Sequence, residues 1–323
     1  MRIVIAIGGN ALIRAGQDGT WERQLRNARP IAREVAALRA AGHELVLTHG
    51  NGPQVGLLLL QQQLGEAEVP ALPLDALTAM TQGQLGYLLQ TAIARVDPAI
   101  ATAVLLTRVE VDPHEPAFEE PTKPVGPFYG AKQAQRLAAE RGWDVAPDAG
   151  RGWRRVVPSP RPRRVLGAEH VTALLEGGAV VVAAGGGGIP VGRSEGQVVG
   201  LPGVIDKDRC SAELALAIGA DVLVLLTGVR RVAVDFGTRW QREMARITVS
   251  DALRSLAEGE FPAGSMGPKI EAAERFVEHS GARAVVTSAE GLHDAVGGAA
   301  GYPACGRVRA GLRGEQLVGR RCP

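Results

Sequence analysis

The stretch IVIAIGGN, residues 3–10, shows the pattern that decides the fold: a short apolar run ends abruptly in two glycines and an asparagine. A continuous apolar run of this length is typical of a strand buried on both faces, and the small residues mark the turn that leaves it. The pattern recurs four times, in ELVLT before His49-Gly50-Asn51-Gly52, VVVAA before Gly185 to Gly188, VLVLL before Thr227-Gly228 and AVVT before Ser288. These runs predict one sheet of buried strands.

Helical patterns separate the strands. One of them places Leu25, Ala28, Ile31, Val35 and Leu38 at three- and four-residue spacing, with Pro30 expected to kink the helix or delay its start. Buried strands that alternate with helices predict an α/β fold with a mostly parallel sheet covered on both faces. Ligands bind beyond the carboxyl ends of such strands. A single glycine turn is more simply explained as a tight connection between a strand and a helix. Three such turns in one sheet favour an anion-binding site instead.

The composition is that of a soluble globular protein. The 323 residues are 46% hydrophobic and carry a net charge of +2, without a basic block dense enough to predict a nucleic-acid partner. Three cysteines without metal-ligand spacing indicate a reducing compartment. The histidines form no metal constellation, and no apolar run reaches the ~18 residues of a membrane span. We therefore expect a cytoplasmic protein with no membrane partner and no metal ligands of its own.

One segment interrupts the alternation of strands and helices. Residues 112–162 are rich in proline, glycine and charge, with one short helical piece. Structureless loops of this length are uncommon in compact domains unless they serve a function. The segment is either a long surface loop or a small inserted subdomain, and we interpret it as an insertion that projects over the site.

Lysine is rare in this chain, which makes its positions informative. Only four of the 36 basic residues are lysine, and Lys123, Lys207 and Lys269 lie in stretches rich in glycine, proline or aspartate, whereas Lys132 lies in a helical pattern. A lysine ammonium is a compact point charge, unlike the planar arginine fork. Lys269 follows Gly267-Pro268 at the expected start of a helix, where the dipole favours anions.

The stretch VIDKD, residues 204–208, combines this rare residue with two carboxylates. One aspartate would orient the Lys207 ammonium and keep it charged, while the other would face a metal or a partner lysine; a surface ion pair is the plainer alternative. There is no G-x-x-x-x-G-K-[ST] and no G-x-G-x-x-G motif, which excludes a P-loop and disfavours a dinucleotide fold. A third arrangement fits the sequence: glycine turns from several strands hold the phosphates, and lysines from elsewhere in the chain neutralise the transferring group. Phosphoryl transfer needs the reacting groups to be positioned and their negative charge to be stabilised, which this arrangement would provide.

Several motifs together resemble those of the carbamate kinases, from about residue 1 to 290. They are IAIGGNAL, LTHGNGPQVG, LDALTAMTQGQLGY, VEVDPHEPAFEEPTKPVGPFY, DAGRGWRRVVPSPRP, AAGGGGIPV, VIDKD and FPAGSMGPKIEAAERFVE. The resemblance implies the amino-acid kinase fold, a three-layer αβα sandwich with an open, mainly parallel eight-stranded sheet. It implies one domain over residues 1–323, with a protruding, lid-like subdomain inserted at about 112–162, and a homodimer.

The resemblance also implies a reaction: reversible transfer of a phosphoryl group between MgATP and carbamate, giving carbamoyl phosphate and ADP. Many members run towards ATP in arginine or purine-ureide catabolism. Many related kinases carry a lysine before the first glycines, where this chain has Ala6-Ile7, and Lys123 from the insertion would supply that charge.

Site residues follow from the resemblance position by position. The expected catalytic residues are Lys123 at the carbamoyl-phosphate end, Lys207 at the transferring group, Lys269 at the ADP phosphates, and Asp206, which orients the lysines. The expected small-substrate residues are Gly8, Gly9, Asn10, Gly50, Asn51 and Gly52. The expected nucleotide-binding residues are Gly185, Gly186, Gly187, Thr227, Phe236, Ser265, Met266 and Lys269.

The chain departs from the family pattern in two places. Arg230-Arg231 stand where an acidic residue is common, and the C-terminal GYPACGRVRAGL lacks the expected Gly-Thr strand ending. Two rival functions stay open: a related kinase acting on another carboxylate or phosphate, and a nucleotide-binding regulator that has lost catalysis.

Overall fold

The computed structural model describes residues 1–13, 16–148, 152–194, 196–227, 233–234, 242–243, 249–258 and 266–297, of which 10, 233–234, 242–243, 249, 252 and 256 are described by backbone alone. The strands are β1 (Arg2–Ile7), β2 (Glu44–His49), β3 (Thr102–Val104), β4 (Arg108–Glu110), β5 (Lys123–Tyr129), β6 (Val145–Pro147), β7 (Trp153–Val157), β8 (Arg164–Val165), β9 (Val180–Val182), β10 (Ile189–Ser194), β11 (Gln197–Gly200), β12 (Val222–Leu226), β13 (Ala233–Val234), β14 (Arg242–Glu243) and β15 (Arg283–Thr287). The helices are α1 (Gly9–Leu12), α2 (Trp21–Ala40), α3 (Gly52–Gly65), α4 (Leu74–Ala94), α5 (Ala131–Arg141), α6 (Ala168–Glu176), α7 (Lys207–Ala217), α8 (Val249–Ala257), α9 (Gly267–Ser280) and α10 (Leu292–Val296).

A six-stranded sheet forms the centre of the molecule, in the order β15-β12-β1-β2-β9-β3. All of its strand pairs are parallel. The five apolar runs picked out in the sequence supply five of these strands, and the sixth, β3, forms the edge next to β9. The prediction of a mainly parallel sheet is confirmed, whereas the expected count of eight strands is not.

Helices cover both faces of this sheet. Along β1, Val4 and Ala6 pack into a core with α6, α7 and α9. Ile3, Ile5 and Ile7 pack into a second core with α2 and α4. Because successive side chains of a strand point to opposite faces, one wholly apolar strand serves both cores. The three-layer arrangement is therefore confirmed.

The helix that contains Pro30 begins well before this proline, although the sequence left open that Pro30 delays its start. It starts at Trp21 and continues through Pro30 to Ala40. The five apolar residues of the predicted periodicity, Leu25, Ala28, Ile31, Val35 and Leu38, are all buried. The expectation that Pro30 delays the start was wrong, since the helix accommodates this proline in its interior.

The segment expected to be an insertion contains regular structure of its own. Strands β5, β7 and β6 form an antiparallel sheet in that order, and α5, which carries Lys132, contacts it. This sheet meets α3 through two glycines: a Cβ on Gly56 would lie 1.9 Å from the backbone nitrogen of Gly126. Such an approach is possible only without side chains, and it sets where Lys123, the first residue of β5, lies. No described helix is long and apolar enough to cross a membrane.

Candidate functional site

The carboxyl ends of β1 and β2 bring two of the predicted turns together. Ile7 lies opposite His49 in the parallel register, so Gly8 and Gly50 leave the sheet side by side. A Cβ on Gly50 would lie 2.9 Å from the Gly9 nitrogen and 3.4 Å from Lys207 Cδ. Any side chain at position 50 would therefore push Gly9 or Lys207 away. These contacts show why glycine is needed where the two turns and the lysine meet.

Helix α7 begins at the VIDKD stretch because Asp206 caps it. The Asp206 carboxylate accepts hydrogen bonds from the backbone N–H groups of Asp208, at 2.9 Å, and Arg209, at 3.3 Å. Aspartate is a preferred N-cap because it satisfies N–H groups that have no partner within the helix. The cap makes Lys207 the first residue of the helix, at its positive end.

Three lysines and two aspartates form an ionic cluster at this helix start. Lys123 Nζ lies 2.5 Å from Asp206 Oδ2. Asp208 binds Lys207 through one oxygen and Lys269 through the other, with Nζ of Lys269 at 2.8 Å from Oδ2. Asp206, Lys207, Asp208 and Lys269 are all buried, whereas Lys123 is partly exposed. The structure thus brings together the three lysines singled out in the sequence, and Lys132 lies apart on α5.

Burial and neighbouring charges set the ionisation of the cluster. Burial alone would raise the pKa of Asp206, but the charges on Lys123 and Lys207 outweigh it and hold that pKa well below its ordinary value. Burial lowers the pKa of Lys207 to about 8, against the attraction of Asp208. Burial also opposes the charge on Lys269, but the Asp208 carboxylate outweighs it and raises the pKa. Lys207 therefore loses its charge as the pH rises through about 8, while Lys269 and Asp206 stay ionised.

Lys123 reaches the cluster from the antiparallel sheet of the insertion. In β5 it pairs with Val157 of β7. The Arg154 guanidinium donates from Nε to the Gly126 carbonyl at 3.0 Å and from Nη1 to Asp148 at 3.1 Å. Arg154 therefore braces Gly126, the residue of β5 that rests on α3. Further support comes from the Val204 N–H, which donates to the Pro158 carbonyl at 2.8 Å and joins the segment before α7 to the end of β7.

The turn of Gly185 to Gly187 lies against the turn that follows β2. A Cβ on Gly185 would come within 2.3 Å of His49 Nε2, and one on Gly186 within 2.4 Å of Asn51 Nδ2. A Cβ on Gly187 would come within 2.3 Å of the Ile205 carbonyl oxygen, close to Asp206. This turn is therefore packed between the turn that follows β2 and the start of α7.

The expected nucleotide residues that the structure describes are spread over the edge of the sheet. Thr227 follows β12, on the other side of β1 from β2, and its N–H donates to the Thr287 carbonyl at 2.8 Å. Met266 is buried directly before α9, where its carbonyl accepts from the Lys269 N–H at 3.0 Å. Phe236, Ser265, Arg230-Arg231 and the C-terminal tail lie outside the described residues, as does the side chain of Asn10.

Sequence reasoning did not assign Asp208 to the site. Asp208 was recognisable from VIDKD, where one aspartate was left to face a metal or a lysine, and the structure gives it two lysines. Gln82, within the quoted motif LDALTAMTQGQLGY, donates to the Gly185 carbonyl at 2.9 Å, a contact that no spacing in the sequence predicts. His49, the last residue of β2, is buried, which lowers its pKa to about 4. It is therefore neutral at physiological pH.

Carboxylates and imidazoles do not assemble into a metal centre in the part of the chain that the structure describes. Asp206 and Asp208 are instead occupied by lysines. With all five groups ionised, three positive and two negative charges leave the cluster with one net positive charge. The site is thus suited to an anion rather than to a resident cation.

Comparison with known proteins shows which family the chain belongs to. The amino acid kinase family model matches residues 1–288. The chain is 44% identical over 308 residues to a carbamate kinase of Pyrococcus horikoshii, and this alignment covers 93% of the chain and 98% of the relative. A structure of carbamate kinase from Giardia lamblia bound to citric acid superimposes with a TM-score of 0.88 at 38% identity, covering 93% of this chain and 97% of the other. The Giardia enzyme bound to AMP-PNP gives a TM-score of 0.83 at 38% identity and the same coverage. The chain belongs to the amino acid kinase family and, within it, to the carbamate kinases.

Proposed function

We propose that this protein catalyses reversible phosphoryl transfer between ATP and carbamate, giving ADP and carbamoyl phosphate. The observation that carries the proposal is the cluster in which Lys123, Lys207 and Lys269 meet across Asp206 and Asp208. It lies where glycine turns leave the sheet, in a chain of the carbamate kinase family. A phosphoryl group in transfer carries negative charge on its equatorial and bridging oxygens, and such a cluster is suited to stabilising it.

We assign each lysine a distinct place along the direction of transfer. Lys207 adjoins Gly50, which lies against Gly9, so its ammonium would stabilise the phosphoryl group as it passes between donor and acceptor. Lys269 lies in the first turn of α9, after Met266, and would neutralise the phosphates of the nucleotide. Lys123 would bind the phosphate of carbamoyl phosphate from the insertion. Asp206 and Asp208 hold the ammonium groups in place, and no covalent enzyme intermediate is required.

Mg²⁺ enters this scheme with the nucleotide, as MgATP or MgADP. Magnesium in kinases is commonly held by substrate phosphates with one or two carboxylates. Here both carboxylates of the cluster bind lysines, so we assign the protein no step through the metal.

We further propose that residues 112–162 form a lid-like subdomain of a single domain over residues 1–323. The support is the separate sheet of β5, β7 and β6, its glycine-to-glycine contact with α3, and the ion pair from Lys123 to Asp206. A homodimer in the cytoplasm is also proposed. The support is that Met80 and Tyr87, two turns apart on one face of α4, are 45% and 61% accessible, because an exposed apolar face is a common site of subunit contact.

ATP formation from ADP, Mg²⁺ and carbamoyl phosphate, measured with a coupled assay, tests the proposed function. We expect ATP with the unmodified protein and at least ~100-fold less with Lys207→Ala, the scale for loss of one charge-stabilising group. A screen with acetyl phosphate and other acyl phosphates separates the proposal from a kinase with another substrate. ADP binding without any turnover would refute the proposal and support a regulator.

A further inference from the structure

Gln82 on α4 connects three segments through one buried amide. Its Nε2 donates to the Gly185 carbonyl at 2.9 Å and to the Thr107 carbonyl at 3.2 Å, and its Oε1 accepts from the Thr107 N–H at 2.7 Å. The side chain is 2% exposed. A buried amide that is fixed at both ends has one rotamer and one orientation. Gln82 therefore ties the glycine turn to the connection between β3 and β4.

The turn held by Gln82 begins with a strained residue. Ala184 has φ +51°, the only positive φ of a non-glycine residue within the described ranges. The left-handed conformation is unfavourable for alanine, and it persists only where the surroundings enforce it. One such restraint is visible: the Ala184 N–H donates to Thr107 Oγ1 at 2.9 Å. Thr107 thus restrains the first residue of the turn, and Gln82 restrains the next.

The same helix also holds the neighbouring turn. The Asn51 amide donates to Thr81 Oγ1 at 2.9 Å, and the Thr81 hydroxyl donates to the Thr78 carbonyl at 2.7 Å. Thr81 precedes Gln82 in the chain, so adjacent residues of α4 fix the turn after β2 and the turn after β9. Because these turns are in contact through Gly185 and Gly186, α4 determines the shape of the surface between them.

We propose that Gln82 and Thr107 are positioning residues for the small substrate, carbamate or carbamoyl phosphate, and that the turn of Gly185 to Gly187 belongs to that half of the site. The inference rests on the proposed function. It differs from the family-based expectation that these glycines bind the nucleotide. The sheet order supports the change, because β9 neighbours β2, whereas β12, which leads to Thr227, lies beyond β1.

Two matched pairs of variants test the inference. Gln82→Met keeps the length of the side chain and removes its hydrogen bonds. Its control is Gln90→Met, because Gln90 lies two turns further along α4 and donates to the Thr102 carbonyl at 2.8 Å, away from the glycine turns. Thr107→Val removes the hydroxyl without changing the shape, and Thr107→Ser restores it. Thermal unfolding of every variant identifies those that fold.

The expected result is a split between the two substrates. In Gln82→Met and Thr107→Val, the KM for carbamoyl phosphate should rise by about tenfold or more, the effect of losing buried hydrogen bonds. The KM for ADP should change by less than about threefold, as for a distant site. Thr107→Ser and Gln90→Met should behave like the unmodified protein. An equal rise for both substrates, or unchanged kinetics in folded Gln82→Met, would overturn the inference.

Ligand-induced shifts in Tm, measured with carbamoyl phosphate alone and with ADP alone, separate this inference from the proposed function. If the unmodified protein made no ATP, the function would fail, yet selective loss of the carbamoyl phosphate shift in the variants would still support the positioning role. If Gln82→Met did not fold, the comparison of Thr107→Val with Thr107→Ser would decide. Loss of the ADP shift in place of the carbamoyl phosphate shift would return the glycine turn to the nucleotide.

Discussion

Replacing Asp208 with asparagine removes the carboxylate that Lys207 and Lys269 share. Two unit charges 2.8 Å apart, the spacing of Lys269 Nζ and Asp208 Oδ2, attract by about 6 kcal/mol at an effective dielectric constant of about 20, or about four pH units. The Lys207 ammonium binds the other oxygen of the same carboxylate. Since the pKa of Lys207 is about 8, loss of even a quarter of such an attraction would bring that pKa to about 7. Lys207 would then be half neutral at neutral pH.

We expect Asp208→Asn to lower kcat/KM for ATP formation at neutral pH by at least ~100-fold. The alkaline limb of the pH profile should move to lower pH by about one unit or more, so that activity relative to the unmodified protein is best retained near pH 6. The free energy of unfolding should fall by about 3 kcal/mol, because removing one partner leaves buried charge uncompensated. Initial rates between about pH 6 and pH 9, together with denaturant unfolding, measure both effects.

Glu44→Gln is the matched control. Glu44 forms an ion pair with Arg2 at 2.8 Å, at the amino ends of β1 and β2 and therefore on the opposite edge of the sheet from the site. This variant should keep the pH profile of the unmodified protein. A folded Asp208→Asn protein with an unchanged alkaline limb would refute the reasoning, because it would show that Asp208 does not set the charge of Lys207.

Three further predictions follow from the same geometry. Lys207→Ala should lose at least ~100-fold in turnover while remaining folded, whereas Lys132→Arg on α5 should leave steady-state kinetics unchanged. A large loss of activity in Lys132→Arg would contradict the inference that, of the four lysines, only Lys123, Lys207 and Lys269 serve the reaction. In the unmodified protein kcat/KM should fall as pH rises through about 8, because Lys207 loses its proton. Folding lowers this pKa from its ordinary value of 10.5, so between about pH 8 and pH 10.5 the unfolded chain binds more protons than the folded chain. The contribution of Lys207 to the free energy of unfolding should therefore rise over this range while activity falls. Gly56→Ala should cost about 1–3 kcal/mol of stability and raise the KM for carbamoyl phosphate, since its Cβ would lie 1.9 Å from the Gly126 nitrogen and would displace the sheet that carries Lys123. Gly65→Ala is the control, because it lies at the end of the same helix where a Cβ meets open space. Equal denaturation midpoints for the two variants would show that the insertion does not pack closely against α3 at Gly56.

The strands and their turns were predictable because their causes are local. An apolar run such as residues 3–7 has to be buried on both faces wherever it lies, and the glycines after it have to form a turn. The start of α9 at Gly267-Pro268 and the helix that carries Lys132 follow from equally local signals. Pro30 shows the limit of such signals: its cost to the helix is local, but the burial of Leu25 on one side and Ile31 on the other outweighs it.

The candidate site was predictable in its residue types more than in its connections. The rarity of lysine pointed to Lys123, Lys207 and Lys269, and the structure brings all three together. Which aspartate serves which lysine was not predictable, since Asp206 and Asp208 differ little in their surroundings along the chain. The α7 cap decides it: it turns Asp206 towards the insertion and leaves Asp208 facing α9.

The sequence by itself determined the alternation of buried strands and helices, the glycine turns and the choice of lysine at three positions, because each depends on neighbours within a few residues. Only the tertiary structure decided which of these groups meet. Lys123 and Asp206 are 83 residues apart, and Gln82 and Gly185 are 103 apart. Such contacts depend on the order of strands in the sheet and on side chains as small as Gly56 and Gly126. A short-range pattern does not encode that order, because many arrangements of strands bury the same apolar residues equally well.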